Sequence, residues 1–230
     1  MPNLYEDDSG VIRALVDRLG HDLEPSILIG GWATFVRVGG EISLDIDLIT
    51  SQESRHKLEQ LMTDLSPSSN NHQGRKLRPT IDNVHLDIYL PYESQLGGKL
   101  RLKVEVLAEY PDELSFEKWT LLRLEAHIAT KMAALLDRHF SEKGQKDARE
   151  ILALLKLEGV DPAVAAEVLH RASTVSIQNL PTMIGDAFDL IGNIIRLTKA
   201  EQKLLAAARK SWMNELTQRA VRPQELRPPL

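Results

Sequence analysis

The chain contains no cysteine. That absence excludes disulfides, thiolate zinc sites and cysteine nucleophiles, and it leaves any metal to oxygen or imidazole ligands. A reducing cytoplasmic setting is compatible with it. Long apolar runs are missing too, since none approaches the roughly 20 residues needed to span a bilayer. Residues Met1 to Asp8 are acidic rather than basic and then apolar, so no secretory signal is expected there. The expectation is a soluble, non-exported chain with no membrane partner. There is no Walker A pattern, no GxGxxG, no nucleophile elbow, and no HExxH among the seven histidines. Internal repeats and low-complexity tracts are also absent.

What is present suffices for a good core. Hydrophobic residues make up 43% of the 230, and that length allows one large domain or two small ones. The net charge of −5 argues against a surface that binds nucleic acid everywhere, but it is unevenly spread. From Leu197 onward there are seven Lys or Arg against three Glu, a net of +4, which leaves −9 for the rest. Such a segment is either a solvated helix face or an RNA-binding arm.

Short apolar strands alternate with helical segments in the first half, whereas helix follows helix after about Asp112. The expected class is therefore α+β, with an α/β domain over 1–111 and a C-terminal all-helical domain over 112–230. Ile27 to Ile29 predicts a strand ending at Gly30-Gly31, and Trp32 to Val38 carries apolar residues at helical spacing. Leu44 to Ile49 predicts a second strand. Thr50 with Glu53 has the capping-box spacing of a helix running to about Leu65, and 66–74 reads as a loop. Val84 to Leu90 alternates, placing His85, Asp87 and Tyr89 on one face. Leu100 to Val106 alternates as well and predicts an edge strand. Helices are expected near 119–138, 145–158, 162–172, 177–195 and 198–218, with Asp161-Pro162 and Thr198/Glu201 marking two of the starts.

The stretch richest in chemistry is Gly30-Gly31, thirteen residues, then Asp45-Ile46-Asp47. Residues two apart in a strand point the same way, so Asp45 and Asp47 project together while Leu44, Ile46 and Leu48 go to the core. Two carboxylates that close repel each other unless a divalent cation offsets the charge. The bland alternative is two acids on the wet face of an edge strand. Asp87, on the wet face of another strand, supplies the third carboxylate that a one- or two-metal phosphoryl-transfer site requires. The glycine pair sits in a strand-to-helix turn, where backbone N–H groups can approach a triphosphate.

Together Gly30-Gly31, the spacing and Leu44-Asp45-Ile46-Asp47-Leu48 resemble the signature of the nucleotidyltransferase superfamily shared with DNA polymerase beta. Asp87 matches the third carboxylate. Within the superfamily the chain is most similar to the AbiEii and MenT group, toxin components of toxin–antitoxin systems related to phage abortive infection. Lys131-Met132-Ala133-Ala134-Leu135, Arg138 and then Lys146-Asp147 resemble that group's second block, in which the lysine contacts nucleotide phosphates and the aspartate completes the site. Glu41 and Leu44 stand where the group usually carries a basic residue and a Ser or Thr, so Arg37 and Ser43 are the nearby substitutes. The resemblance covers roughly residues 25–158 and implies a nucleotidyltransferase-type mixed sheet flanked by helices.

The residues have readings of their own. Lys131 shares a helical stripe with Leu124, Ile128 and Leu135, so its ammonium needs a partner near the core or must snorkel past the border of the stripe. Asp147 shares a stripe with Ile151 and Leu154 near a helix start, where a carboxylate is also a good cap. His127 and His139 read as structural or surface residues. His85 sits beside Asp87. Arg75, Lys76 and Arg78 could meet an acidic substrate or simply face solvent.

The expected function is magnesium-dependent transfer of a nucleoside monophosphate from a nucleoside triphosphate to a hydroxyl, with manganese as the alternative ion. Asp45, Asp47 and Asp87 would hold the metal, and Gly30, Gly31, Ser43, Arg37, Lys131 and Asp147 the nucleotide. The resemblance implies a tRNA 3′ end or a protein as acceptor and a cognate antitoxin as partner. The alternatives are a small-molecule, antibiotic-type nucleotidyltransferase and a catalytically silent nucleotide-binding module.

Overall fold

The computed structural model describes residues 7–22, 26–61, 67–69, 75–81, 84–112 and 119–221. They fall into two compact units, one formed by the chain up to Gln95 with Lys103–Arg123, the other by Leu96–Leu102 with the chain from Leu124. Among the described residues no helix is long and apolar enough to cross a membrane.

In chain order the elements reaching the first long gap are α1 (Asp7–Asp22), β1 (Ser26–Ile29), α2 (Gly30–Val38), β2 (Asp45–Thr50) and α3 (Gln52–Leu61). Next come β3 (Pro67–Ser69), β4 (Arg75–Leu77), β5 (Thr80–Ile81), β6 (Val84–Tyr89), β7 (Gln95–Leu96), β8 (Leu102–Lys103), α4 (Val104–Leu107) and β9 (Thr120–Leu121). The main sheet is mixed and runs β3-β4-β6-β2-β1-β9, with β5 also on β6. β1 is antiparallel to β2, β2 is parallel to β6, and β9 is parallel to β1.

Alternation decides which face of this sheet is buried. Leu28, Ile46, Leu48, Leu86 and Ile88 are fully buried and pack with Leu15, Val16 and Leu19 of α1 and with Trp32 and Ala33 of α2. Their strand neighbours Asp45, Asp47, His85 and Asp87 are thereby sent to the opposite face.

Several expectations needed correction. α3 is capped one residue later than Thr50: the Ser51 hydroxyl accepts from Ser54 N at 3.1 Å, and Thr50 belongs to β2. The polar stretch after Ser66 is not all loop, because Pro67–Ser69 pairs with Arg75–Leu77; Ser66 and residues 70–74 lie outside the described part. The long edge strand over 100–106 is a two-residue strand followed by the short helix α4. Leu100, Leu102, Val104 and Leu107 are all fully buried, and a switch from strand to helical turn inserts all four where a straight strand would not. The helix expected from 119 starts at Leu124, because Thr120 and Leu121 pair with Ile27 and Leu28 of β1. α1 was not anticipated.

The second unit contains α5 (Leu124–Arg138), α6 (Glu142–Leu155), α7 (Pro162–Ala172), α8 (Leu180–Ile194) and α9 (Lys199–Val221). α5 packs on α6, α7 and α8, and α9 on α7 and α8. Phe188 and Trp212 meet edge to face at 5.7 Å. The starts are capped as the sequence predicts at Asp161, whose carboxylate accepts from Ala163 N at 2.8 Å, and at Thr198/Glu201. There Glu201 accepts from Thr198 N at 2.8 Å, and Thr198 Oγ1 accepts from Glu201 N at 3.3 Å.

The Lys156 ammonium, 2.7 Å from Glu201, together with the Thr198 hydrogen bonds, lowers the Glu201 carboxyl to about 2 from its usual 4.5. A depressed acid stabilises the fold above its unfolded pKa and loses that contribution as the pH falls through the folded one. Glu201→Gln should therefore lower the melting temperature above pH 4.5 and converge with the parent as the pH drops toward 2. Melting curves across that window check this, and a constant gap between the two proteins would contradict it.

Candidate active site

The parallel register of β2 with β6 sets Asp45 opposite His85 and Asp47 opposite Asp87. Because register partners share a face, three carboxylates lie on one face of two adjacent strands. Asp45 and Asp47 are half-buried, and Asp87 is buried at 7% exposure. His85 is exposed, with its Nδ1 3.1 Å from Thr80 Oγ1.

Gly30 closes one side of this face. It opens α2 with φ +69, and a Cβ built there would lie 2.2 Å from Asp47 Oδ2 and 2.8 Å from Asp47 Cγ. Glycine is therefore required twice, for the positive φ and for the close approach of the carboxylate. Ile29 caps α2 without a side-chain hydrogen bond, so the helix start with its partial positive charge lies beside an acid. Gly31 is buried within the first turn.

The other side carries cations. β4 pairs antiparallel with β6 through Leu77 and Ile88, which brings the side chains flanking Leu77 to the carboxylate face. Lys76 Nζ donates to Asp87 Oδ2 at 2.5 Å and stands 5.9 Å over the Tyr89 ring. Arg78 Nε is 3.3 Å from Asp87 Oδ1. That contact is an ion pair outside hydrogen-bond geometry, since the buried Oδ1 has no hydrogen-bond partner.

The donors suit a hard divalent cation such as magnesium, being oxygen acids with no thiolate among them, and the unsatisfied Asp87 Oδ1 is an atom that a cation would satisfy. In the arrangement observed, however, no group of three His, Asp or Glu among the described residues converges closely enough to hold an ion. The cation standing against Asp87 is Lys76.

The remaining sequence candidates sit elsewhere. Arg37 donates to Asp112 Oδ2 at 2.6 Å and to the Leu122 carbonyl at 2.5 Å, so its guanidinium ties α2 to the segments around β9. Ser43 is half-buried in the turn before β2. Lys131 and Asp147 belong to the helical unit, where Lys131 Nζ is 2.5 Å from Glu150 and 3.6 Å from Asp147. Arg138 Nε and a terminal guanidinium nitrogen donate to Asp147 at 2.7 and 2.9 Å. Lys131 thus finds its partner in Glu150, a residue the sequence reading passed over although it lies three positions after Asp147 on the same helix. His127 is buried in α5, and His139 stacks against Phe140 at 3.8 Å between ring centroids.

No family model matches the chain, and no curated protein matches it. Among solved structures it is similar to the antibiotic-resistance factor ANT(2″)-Ia (19% identity over 72% of this chain and 91% of that one, TM-score 0.46). It is also similar to an antigenic nucleotidyltransferase-like protein of Paracoccidioides brasiliensis (16% identity, 82% and 95% covered, TM-score 0.44). A third is a putative nucleotidyltransferase of Thermotoga maritima (18% identity, 64% and 95% covered, TM-score 0.41). Identities below a fifth and TM-scores below 0.5 carry no residue roles to this chain, so its chemistry rests on its own side chains.

Two predictions arise from this geometry. Gly30→Ala should cost more than Gly39→Ala. Both positions have positive φ, +69 and +70, but a Cβ at 39 meets nothing within 4 Å, so the second variant carries only backbone strain, about 1–3 kcal/mol at ψ −155. Equal shifts in urea midpoint would show that the approach of Asp47 has no energetic consequence. In the helical unit, Lys131→Met should cost about 3–5 kcal/mol at neutral pH by leaving Glu150 charged and buried. Burial raises the Glu150 pKa above 4.5 against the opposing effect of Lys131, so protonation favours the folded state and that advantage is lost as the pH rises. The cost of Lys131→Met should accordingly shrink toward pH 4.5, and adding Glu150→Gln should recover most of it. A pH-independent cost would refute this assignment.

Proposed function

We propose that the protein is a nucleotidyltransferase whose site is the carboxylate face of β2 and β6, taking a nucleoside triphosphate and a hydroxyl acceptor. The observation that carries this reading is the register of Asp47 with Asp87, with Asp45 two residues away and Gly30 making room for the Asp47 carboxylate. A core requirement alone asks for none of these three acids.

In the reaction an acceptor hydroxyl oxygen attacks the α-phosphorus, the bond between that phosphorus and the bridging oxygen to the β-phosphorus breaks, and pyrophosphate leaves. Asp45, Asp47 and Asp87 would hold magnesium or manganese. When bound, the divalent cation neutralises phosphate charge and stabilises the leaving pyrophosphate. Gly30 and Gly31 form the first turn of α2, and their backbone N–H groups would receive the phosphate oxygens there. Asp87 would complete the metal site and favour deprotonation of the attacking hydroxyl.

The finer reading follows the sequence resemblance: the acceptor is a tRNA 3′ end or a protein, the chain is the toxin of a toxin–antitoxin pair, and a cognate antitoxin is its partner. The basic run along α9, with Lys199, Lys203, Arg209 and Lys210, suits an RNA acceptor. Lys131 and Asp147 keep the nucleotide roles implied by that resemblance as part of this proposal.

Incubation with magnesium, each α-³²P triphosphate in turn and total tRNA should move label to tRNA or to the protein itself. Asp47→Asn should lower that transfer by at least a hundredfold, on the scale of losing a principal charge-stabilising group. Undiminished labelling by the variant would place the chemistry elsewhere.

A further inference from the structure

The cation at Asp87 belongs to the chain itself. Lys76 Nζ lies 2.5 Å from Asp87 Oδ2 with only 14% and 10% of the two side chains exposed, and the Tyr89 ring backs the ammonium at 5.9 Å. Arg78, by contrast, is 43% exposed and 3.3 Å away. Asp87, the most buried of the three acids, is neutralised by this pair.

We propose that Lys76 is a resident counter-cation that a divalent metal must displace from Asp87, and that the displaced ammonium is then taken up by the phosphates of the incoming triphosphate. The inference rests on the carboxylate-site reading above. A doubly charged ion and an ammonium cannot share one buried carboxylate oxygen without strong repulsion in a poorly screened environment. Lysine suits the exchange because its charge rides on four flexible methylenes, and the head can swing while β4 stays in register with β6. Arginine at 78 reaches the same carboxylate from solvent and can leave it at little cost. Metal and nucleotide binding are thereby coupled: the metal frees Lys76, and the phosphates give its ammonium a new partner.

The test is binding of Mn²⁺ alone, followed by the loss of its free-ion electron paramagnetic resonance signal, on the full chain without nucleotide. Lys76→Met keeps the stem and removes the charge. It should bind Mn²⁺ on the order of tenfold more tightly than the parent, as expected when a competing partly buried ion pair is removed. Added ATP should tighten Mn²⁺ binding in the parent and much less in Lys76→Met. Arg78→Met should change Mn²⁺ affinity by less than Lys76→Met does. A second measurement avoids the variant: the Lys76 ammonium resonance in a ¹⁵N-labelled parent should shift on Mg²⁺ addition. Parent binding that depends on Asp47 but is unchanged or weakened by Lys76→Met, with a static ammonium resonance, overturns the exchange and leaves the metal site standing. No Mn²⁺ binding by either protein overturns the exchange and the metal-site reading together.

Discussion

The parallel ladder between β2 and β6 is fixed by what it buries. Ile46, Leu48, Leu86 and Ile88 are all excluded from water and face α1 and α2, and a one-residue slip of either strand would exchange two of them for an acid and a neighbour. Burying aliphatic side chains of this size contributes roughly 1.5–3 kcal/mol each, far more than the repulsion between half-exposed carboxylates removes. The register is thus set on the apolar side, and Asp45, Asp47 and Asp87 are brought together on the other side as its consequence. The same logic reaches the next strand. Leu77, buried in the same core and paired with Ile88, fixes the side of the sheet on which Lys76 and Arg78 emerge.

Each unit contains a cluster of charges withdrawn from water. In the helical unit Lys131 and Arg138 face Glu150 and Asp147 at 2.5–3.6 Å, and Lys146 also acts on Glu150. Burial still raises the Glu150 pKa, so these cations offset its desolvation only in part. On the carboxylate face one buried oxygen of Asp87 accepts no hydrogen bond. That unsatisfied acceptor is why the sheet rather than the helices is read as the reacting centre.

How much of this was legible in the sequence follows from the range of the forces involved. Period-two alternation is local, and it placed β2 and β6, the two aspartates of β2 and the face of Asp87, but Leu44, expected in the core, lies just before β2 and is 53% exposed. Caps are local as well, and Asp161 and Thr198/Glu201 sit where side-chain chemistry put them. What the sequence could not give was pairing. Lys76 comes from a short strand whose contact with β6 is set by a single register pair, and the polar composition around it reads as loop. Glu150 was passed over because only the packing of α5 against α6 brings Lys131 to it. The alternation from Leu100 to Val106 misled for a related reason: a buried strand end and a buried helical turn both present apolar residues at close intervals, and only tertiary packing distinguishes them.

Gly30 shows how tightly backbone shape and site chemistry are joined. A helix could begin after β1 with almost any residue if the chain entered it at negative φ, and Gly39, with empty space around it, shows what a glycine needed for backbone shape alone looks like in this protein. At Gly30 the backbone instead passes so near Asp47 that the carboxylate fills the place of the missing side chain. Moving the helix start away would relieve the crowding, but it would also withdraw the first-turn N–H groups from the acids and from any anion the acids recruit through a metal. Positive φ and close approach are therefore two consequences of a single placement, in which a helix start and a carboxylate pair are held near the same point so that opposite charges of a bound nucleotide complex, cation and phosphate, can be met side by side.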